Sequence, residues 1–226
     1  MEYSVSRSKR KSITIYVKDG KISVRAPLKT DIKVIDNFVA SKERWILRKL
    51  AESSDRMKRY SDVFEGREFP YFGKRLVPRV TDKKRIWSND EYLFVPQEFY
   101  SNGVFVCSDL FLAAVKKYYM REAKSYLGER LKEIGEHYGF SYSNFSLTNA
   151  KSKWGSCDSA NRIRLNWRLI MLPKSLCDYV AVHELMHTVE HNHSRNFWKG
   201  VATIYPRYKE AISCLKDAGM LINLWR

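Results

Sequence analysis

The 226-residue sequence predicts an α+β fold, and three observations carry that expectation. Residues 1–100 show short apolar alternations separated by turn residues, the mark of strands and hairpins. Residues 101–226 show long stripes at helical spacing. A His-Glu-x-x-His stretch at 183–187 lies within one of those stripes. The expected organisation is a basic, β-rich N-terminal region with one helix over 1–100. A helical region with a short sheet follows over 101–226.

The elements follow in order. Ile13, Ile15 and Val17 alternate, as do Ile22, Val24 and Ala26, with Asp19-Gly20 as a type I′ turn between them. Pro27 ends the second strand. Thr30 is placed to cap a helix whose apolar positions are Ile32, Ile35, Phe38, Val39, Trp45, Ile46 and Leu50. Residues 51–60 either extend this helix or leave it. Strands are expected at 69–72, 75–80, 85–87 and 92–95, with Gly73-Lys74 turning between the first two. Ser108 suits the N-cap of a long helix carrying Leu112, Val115, Tyr119, Tyr126, Leu127 and Ile134, and Gly139 suits its C-terminal end. Strands at 144–149 and 162–169 flank a Gly- and Ser-containing bend. Pro173 and Ser194 then open two helices, Pro206 opens a third, and Gly219 closes it.

Composition narrows the function classes. Hydrophobic residues make up 44% of the chain and aromatic residues 14%, enough apolar surface to offset chain entropy and form a core. No apolar run approaches the ~18 residues of a membrane span. The run after the basic N-terminus, Ile13 to Val17, is too short for a secretory leader. The four cysteines, Cys107, Cys157, Cys177 and Cys214, form no CxxC pair. Reduced, mostly buried thiols are expected. Together these features predict a cytoplasmic protein with no membrane partner.

The net charge is +16, and residues 1–60 hold 16 basic and 7 acidic side chains, a net of 16 − 7 = +9. A basic region of this kind suits nucleic acid as a possible partner. The plainer alternative is a solvated face kept soluble by charge. No zinc finger, recognition-helix motif or aromatic RNA-binding motif accompanies it.

The chemistry concentrates at 182–193. His183 and His187 are four residues apart, so a helix places both imidazoles on one face, within reach of one ion. Neutral imidazole nitrogen suits Zn²⁺, and Glu184 beside the ligand face can take a proton from a water on that ion. This is the zincin arrangement. The alternative is a pair of core histidines bonded to backbone or carboxylates. A third ligand is needed, with one position left for water. His191 continues the stripe, but three histidines in line on a rigid helix span ~12 Å and cannot converge. His193 lies past the helix end, after Asn192, a residue that tolerates the left-handed turn needed to bring the chain back. His193 is therefore preferred over His191, with Glu210 on the third helix as the carboxylate alternative. His137 stands alone and reads as structural.

Four stretches in series, KSKWGSC (151–157), RIRLNWRLIMLP (162–173), DYVAVHELMH (178–187) and NHSRNFW (192–198), resemble the core of the YgjP-like metallopeptidases, predicted metal-dependent hydrolases. The N-terminal half resembles the family too, through SRSKRKSITIYVKDGKISVRAP (6–27), SKERWILRKL (41–50) and YFGKRL (71–76). The family is similar to SprT-like proteases in its HExxH helix and third histidine. The resemblance implies a zincin-like metallopeptidase domain over 101–226. It implies Zn²⁺ held by His183, His187 and His193, Glu184 as the catalytic residue, and a peptide or protein substrate. The rival function is a nucleic-acid-associated basic protein whose metal is structural. The two can combine in a protease acting on DNA-bound proteins.

Other motif residues carry weaker expectations. Trp154, Trp167 and Trp198 are expected to pack around the site helix. Gly155 marks a bulge or a close backbone approach. Ser156, Asn166 and Arg168 could orient a ligand histidine or touch substrate. Tyr205, Tyr208 and Arg168 are candidate oxyanion donors. Strand 162–169, apolar on one face and basic on the other, could pair with an extended peptide.

Overall fold

The computed structural model describes residues 1–18, 20–102, 104–105 and 108–225, with the side chains of Arg56 and Val104 left aside. The expected turn residue Asp19 and the thiol of Cys107 lie outside the described residues. The fold is mixed α+β, with several small sheets, and the chain divides into two compact units, Met1–Asp62 and Val63–Arg226. Among the described residues no helix is long and apolar enough to cross a membrane.

In the first unit, β1 (Ser4–Ser8), β2 (Thr14–Lys18) and β3 (Lys21–Pro27) form a sheet in the order β1-β3-β2. The β2–β3 hairpin pairs Val17 with Ile22, and Gly20 has φ +73°, the left-handed region that glycine enters at no cost. β1 runs parallel to β3 and has no counterpart in the sequence expectations, because Ser4–Ser8 offers a single apolar residue, Val5. Two corrections concern the helix. Its N-cap is Asp31, whose carboxylate accepts the Lys33 N–H at 2.8 Å, and not Thr30. The helix is also broken at Lys42 (φ −109°, ψ 9°) into α1 (Ile32–Ser41) and α2 (Glu43–Arg59). Ile35, Val39 and Ile46 still reach one core with Ile22, Val24 and Ala26, while Ile32 and Trp45 stay exposed.

The next short helix is α3 (Ser61–Phe64). β4 (Phe69–Tyr71), β5 (Lys74–Thr81), β6 (Trp87–Ser88) and β7 (Tyr92–Pro96) form a second sheet, ordered β4-β5-β7-β6. The β4–β5 turn sits one residue earlier than Gly73-Lys74. Phe72 (φ +47°) and Gly73 (φ +80°) are its centre, and Tyr71 faces Lys74. A Cβ on Gly73 would stand 2.9 Å from Pro173 Cγ, so this turn rests on the residue that opens the site helix. A small hairpin follows, β8 (Tyr100–Ser101) with β9 (Val104–Phe105).

Helix α4 (Asp109–Tyr138) is capped as expected. Ser108 Oγ accepts the Phe111 N–H at 3.2 Å, and Gly139 ends it at φ +74°. Phe69 meets Phe111 edge-on at 5.7 Å. The change of sequence style near residue 100 is therefore a change of element type inside the second unit.

β10 (Asn144–Thr148), β11 (Gly155–Cys157) and β12 (Arg162–Asn166) form the third sheet, ordered β10-β12-β11. The connection expected as a bend between 149 and 162 thus contains a short strand, β11. The expected strand 162–169 stops at Asn166, whose side chain accepts the Arg168 N–H at 3.1 Å and starts a 3₁₀ turn, Trp167–Met171. Pro173 precedes α5 (Lys174–Met186), Ser194 caps α6 (Arg195–Ile204), and α7 (Tyr208–Asp217) follows. Gly219 does not end α7; the chain runs on through it as a 3₁₀ segment, Ala218–Asn223. The α5 helix is fixed to α4 by Arg130, which donates to both Asp178 carboxylate oxygens at 2.7 and 3.2 Å.

Candidate metal centre

Helix α5 buries Leu176, Val180, Val182 and Leu185, and this burial fixes the orientation of His183 and Glu184 on the same helix. His187 is the C-cap residue. Beyond it the chain folds tightly: Thr188 N–H donates to Leu185 O at 3.0 Å, and Glu190 N–H donates to Met186 O at 2.9 Å. Ser194 then caps α6 by accepting the Phe197 N–H at 3.1 Å. This turn returns His193 to the two helix histidines. Asn192 is not in the left-handed region, so the reversal is made by the hydrogen-bonded turn after His187.

The three imidazoles form one cluster, each offering a ring nitrogen within 4.8 Å of the others. Ring centroids lie 5.0 Å apart for His183–His187, 5.0 Å for His183–His193 and 4.7 Å for His187–His193. His183 Nε2 and His193 Nε2 are 3.1 Å apart. A tetrahedral ion ~2.1 Å from each nitrogen would separate its ligand nitrogens by about 3.4 Å, so the His183–His193 pair is spaced for such an ion and His187 lies within reach of it. His187 Nδ1 lies 3.0 Å from Glu190 O. A carbonyl only accepts, so Nδ1 carries the proton and Nε2 keeps its lone pair for a metal. Burial, with the neighbouring imidazoles, lowers the His183 pKa to about 3, and burial lowers that of His187. Both rings are therefore neutral at neutral pH, the form in which an imidazole can hold a metal. His191 and Glu210 take no part; Glu210 is exposed and bound to Arg207. His137 lies at the end of α4 against Tyr138.

Glu184 is buried in a cleft of about 230 Å³ lined by Lys153, Gly155, Tyr179, His183 and Leu215. Burial pushes its carboxyl up to about 8, with the charge of Lys153 opposing. A carboxyl held in that range can take and return a proton near neutrality. The close approach expected at Gly155 is present, and its partner is Glu184: a Cβ there would stand 2.5 Å from Glu184 Oε1.

The remaining motif residues sort differently from expectation. Trp198 stacks on His193 at 5.5 Å and on Tyr208 at 5.3 Å, so Tyr208 supports the site through a ring stack. Trp154 lines the cleft. Trp167 is buried away from it, against Tyr119 and Trp225. Asn166 donates to Ala150 O and Lys153 O at 2.9 and 3.0 Å, holding the loop that enters the cleft. Arg168 is buried and donates to Asn149 Oδ1 at 2.6 Å and Leu224 O at 2.8 Å, so it is no oxyanion donor. The Tyr205 hydroxyl donates to Ser175 O at 3.0 Å. Strand β12 is central, with both sides paired, so it cannot accept a peptide; among the described residues β11 is paired on one side only. Phe197 was not singled out in the sequence. It is fully buried and lies 4.5–5.0 Å from all three imidazole rings. Its place directly before Trp198, three residues after the Ser194 cap, is the available signal.

Three convergent histidines beside a buried carboxyl define a candidate metal-dependent hydrolase centre. The model of the YgjP-like metallopeptidase domain family matches residues 11–218, and the chain belongs to that family. No curated protein and no solved structure matches the chain.

Proposed function

We propose that this protein is a zinc-dependent peptidase of the cytoplasm. His183, His187 and His193 hold the ion, and Glu184 is the general base. The observation that carries this reading is the convergence of three imidazole nitrogens within 4.8 Å, next to a cleft containing the Glu184 carboxyl. Three imidazole nitrogens with no fourth protein ligand among the described residues is the donor set of catalytic and not structural zinc sites. When bound, the ion supplies Lewis-acid polarisation of a carbonyl and lowers the pKa of water.

The chain's own residues supply the rest. Glu184 takes a proton from the attacking water as the new C–O bond forms, then passes it to the departing amine nitrogen as the C–N bond breaks. Gly155 leaves the volume in which that carboxyl sits. The free side of β11 offers main-chain groups to an extended substrate, a role the sequence placed on β12. Phe197 and Trp198 keep the imidazoles in place. The free state of the three described cysteines, Cys157, Cys177 and Cys214, suits a reducing compartment.

The test combines elemental analysis with a peptide-library cleavage screen. The purified protein should carry one zinc per chain and cleave peptides. Glu184→Gln should keep the metal and lose at least about 100-fold in hydrolysis. His187→Ala should lose both. Full activity in Glu184→Gln would overturn the assignment of the base.

A further inference from the structure

We propose that the open face of the β1-β3-β2 sheet is a binding surface for single-stranded nucleic acid. This unit, Met1–Asp62, contributes nothing to the histidine cluster, so its charge calls for a separate explanation. Residues 1–30 contain eight basic side chains and two acidic ones, Glu2 and Asp19, a net of 8 − 2 = +6.

The pairing register separates the two faces of the sheet. Ile22, Val24 and Ala26 of β3 turn inward onto the helices, with Ile15 and Val17 of β2 beside them. Alternation along a strand sends the intervening residues to the other face. On β3 these are Lys21, Ser23 and Arg25, which face Lys18, Tyr16 and Thr14 of β2. On β1, Ser4 and Ser6 face Ser23 and Arg25. Among the described residues the outward face thus presents three cations, one aromatic ring, a set of hydroxyls and no carboxylate.

Lys18, Lys21, Arg25 and Tyr16 are exposed, and the Arg25 guanidinium sits over the Tyr16 ring at 4.9 Å. No ion pair engages Lys18, Lys21 or Arg25 among the described residues, so these charges remain available to an anion. Lys9 and Lys11, in the connection between β1 and β2, extend the positive surface.

The chemistry selects the ligand. Phosphates meet cations, an exposed ring accepts a base by stacking, and hydroxyls accept and donate to sugar and phosphate. A sheet face presents no helix to enter a duplex major groove, and splayed bases are the form that stacks on a sheet. A membrane surface fits less well, because this face has no Leu, Phe or Trp to insert.

Fluorescence anisotropy with labelled single-stranded DNA and RNA of about 16 nucleotides tests this directly. The full chain is titrated at two salt concentrations, with and without a chelator. Binding should weaken with salt, with a log–log slope of about 0.7 per phosphate contacted, and should not respond to the chelator. The triple variant Lys18→Glu, Lys21→Glu, Arg25→Glu should lose at least about tenfold in affinity with its melting temperature near wild type. Tyr16→Ala should also lose about tenfold. Wild-type affinity in a folded triple variant overturns the proposal. So does tighter binding to duplex, or binding to anionic vesicles with none to oligonucleotides. Independence from the chelator separates this result from the fate of the peptidase reading.

Discussion

The carboxylate of Glu184 occupies the space that a side chain at Gly155 would need: a Cβ there would lie 2.5 Å from Oε1, 2.7 Å from Cγ and 2.8 Å from Cδ. The strand β11 and the helix α5 approach each other only because residue 155 ends at Cα. Gly155→Ala should therefore displace the carboxyl while leaving the histidines intact. Zinc content should stay stoichiometric, hydrolysis should fall by about 100-fold, and stability should drop by about 1–3 kcal/mol from overpacking. Metal analysis, peptide kinetics and urea unfolding measure the three effects. An active Gly155→Ala protein would show that Glu184 does not need its present position.

Trp198 supports the most exposed of the three imidazoles. His193 lies outside both helices, held by its stack on Trp198, which in turn stacks on Tyr208. Trp198→Ala should weaken zinc binding about 10- to 100-fold, the usual range for residues that orient a ligand. Competition against a chromophoric chelator reads this. An unchanged affinity would mean that the loop positions His193 unaided.

In the metal-free protein His183 and Glu184 should respond to acid in opposite senses: protonation of the buried carboxyl, pushed up to about 8, favours the folded state as the pH falls, and His183 opposes it. The buried His183 stays neutral down to about pH 3, whereas the unfolded chain takes up that proton near 6.5. Between these values the unfolded state binds more protons, so this contribution to stability is complete above pH 6.5 and declines as the pH falls. At pH 5 the loss from this one group is about 2 kcal/mol. Thermal melts of chelator-treated Glu184→Gln protein from pH 7.5 to 5, in which the opposing carboxyl is removed, should show the His183 decline, and adding His183→Phe should flatten it.

Arg168 is a structural cation. It is buried, lies over the Trp167 ring at 4.2 Å and donates to the carbonyl of Leu224 and the side chain of Asn149. Arg168→Ala should cost about 3 kcal/mol or more, because it opens a cavity and strands buried acceptors. Denaturant unfolding measures it. A loss confined to catalysis, with stability unchanged, would return Arg168 to the list of catalytic candidates.

The sequence made some of this architecture legible and concealed the rest. The β2–β3 hairpin, the caps at Ser108 and Ser194, and the end at Gly139 were readable because each depends on local chemistry within a few residues. The grouping of His183, His187 and His193 was readable from spacing along α5 and from the rigid-helix limit on His191. Long-range features were not. β1 pairs through backbone groups that Ser4–Ser8 does not advertise. The connection between 149 and 162 reads as a bend, yet pairing with β12 makes 155–157 a strand. Asn166 and Arg168 look like the polar face of a strand until the 3₁₀ turn carries them inward.

The site's third nitrogen comes from a connector, and this has a mechanical corollary. Two imidazoles are set by one rigid rod, and the third is set by the count of residues between His187 and the cap at Ser194. That connector acts as a gauge. Inserting one residue after Glu190 would swing the third ring out of reach while both rods and their cores stayed assembled. A folded protein whose donor triad is broken would result.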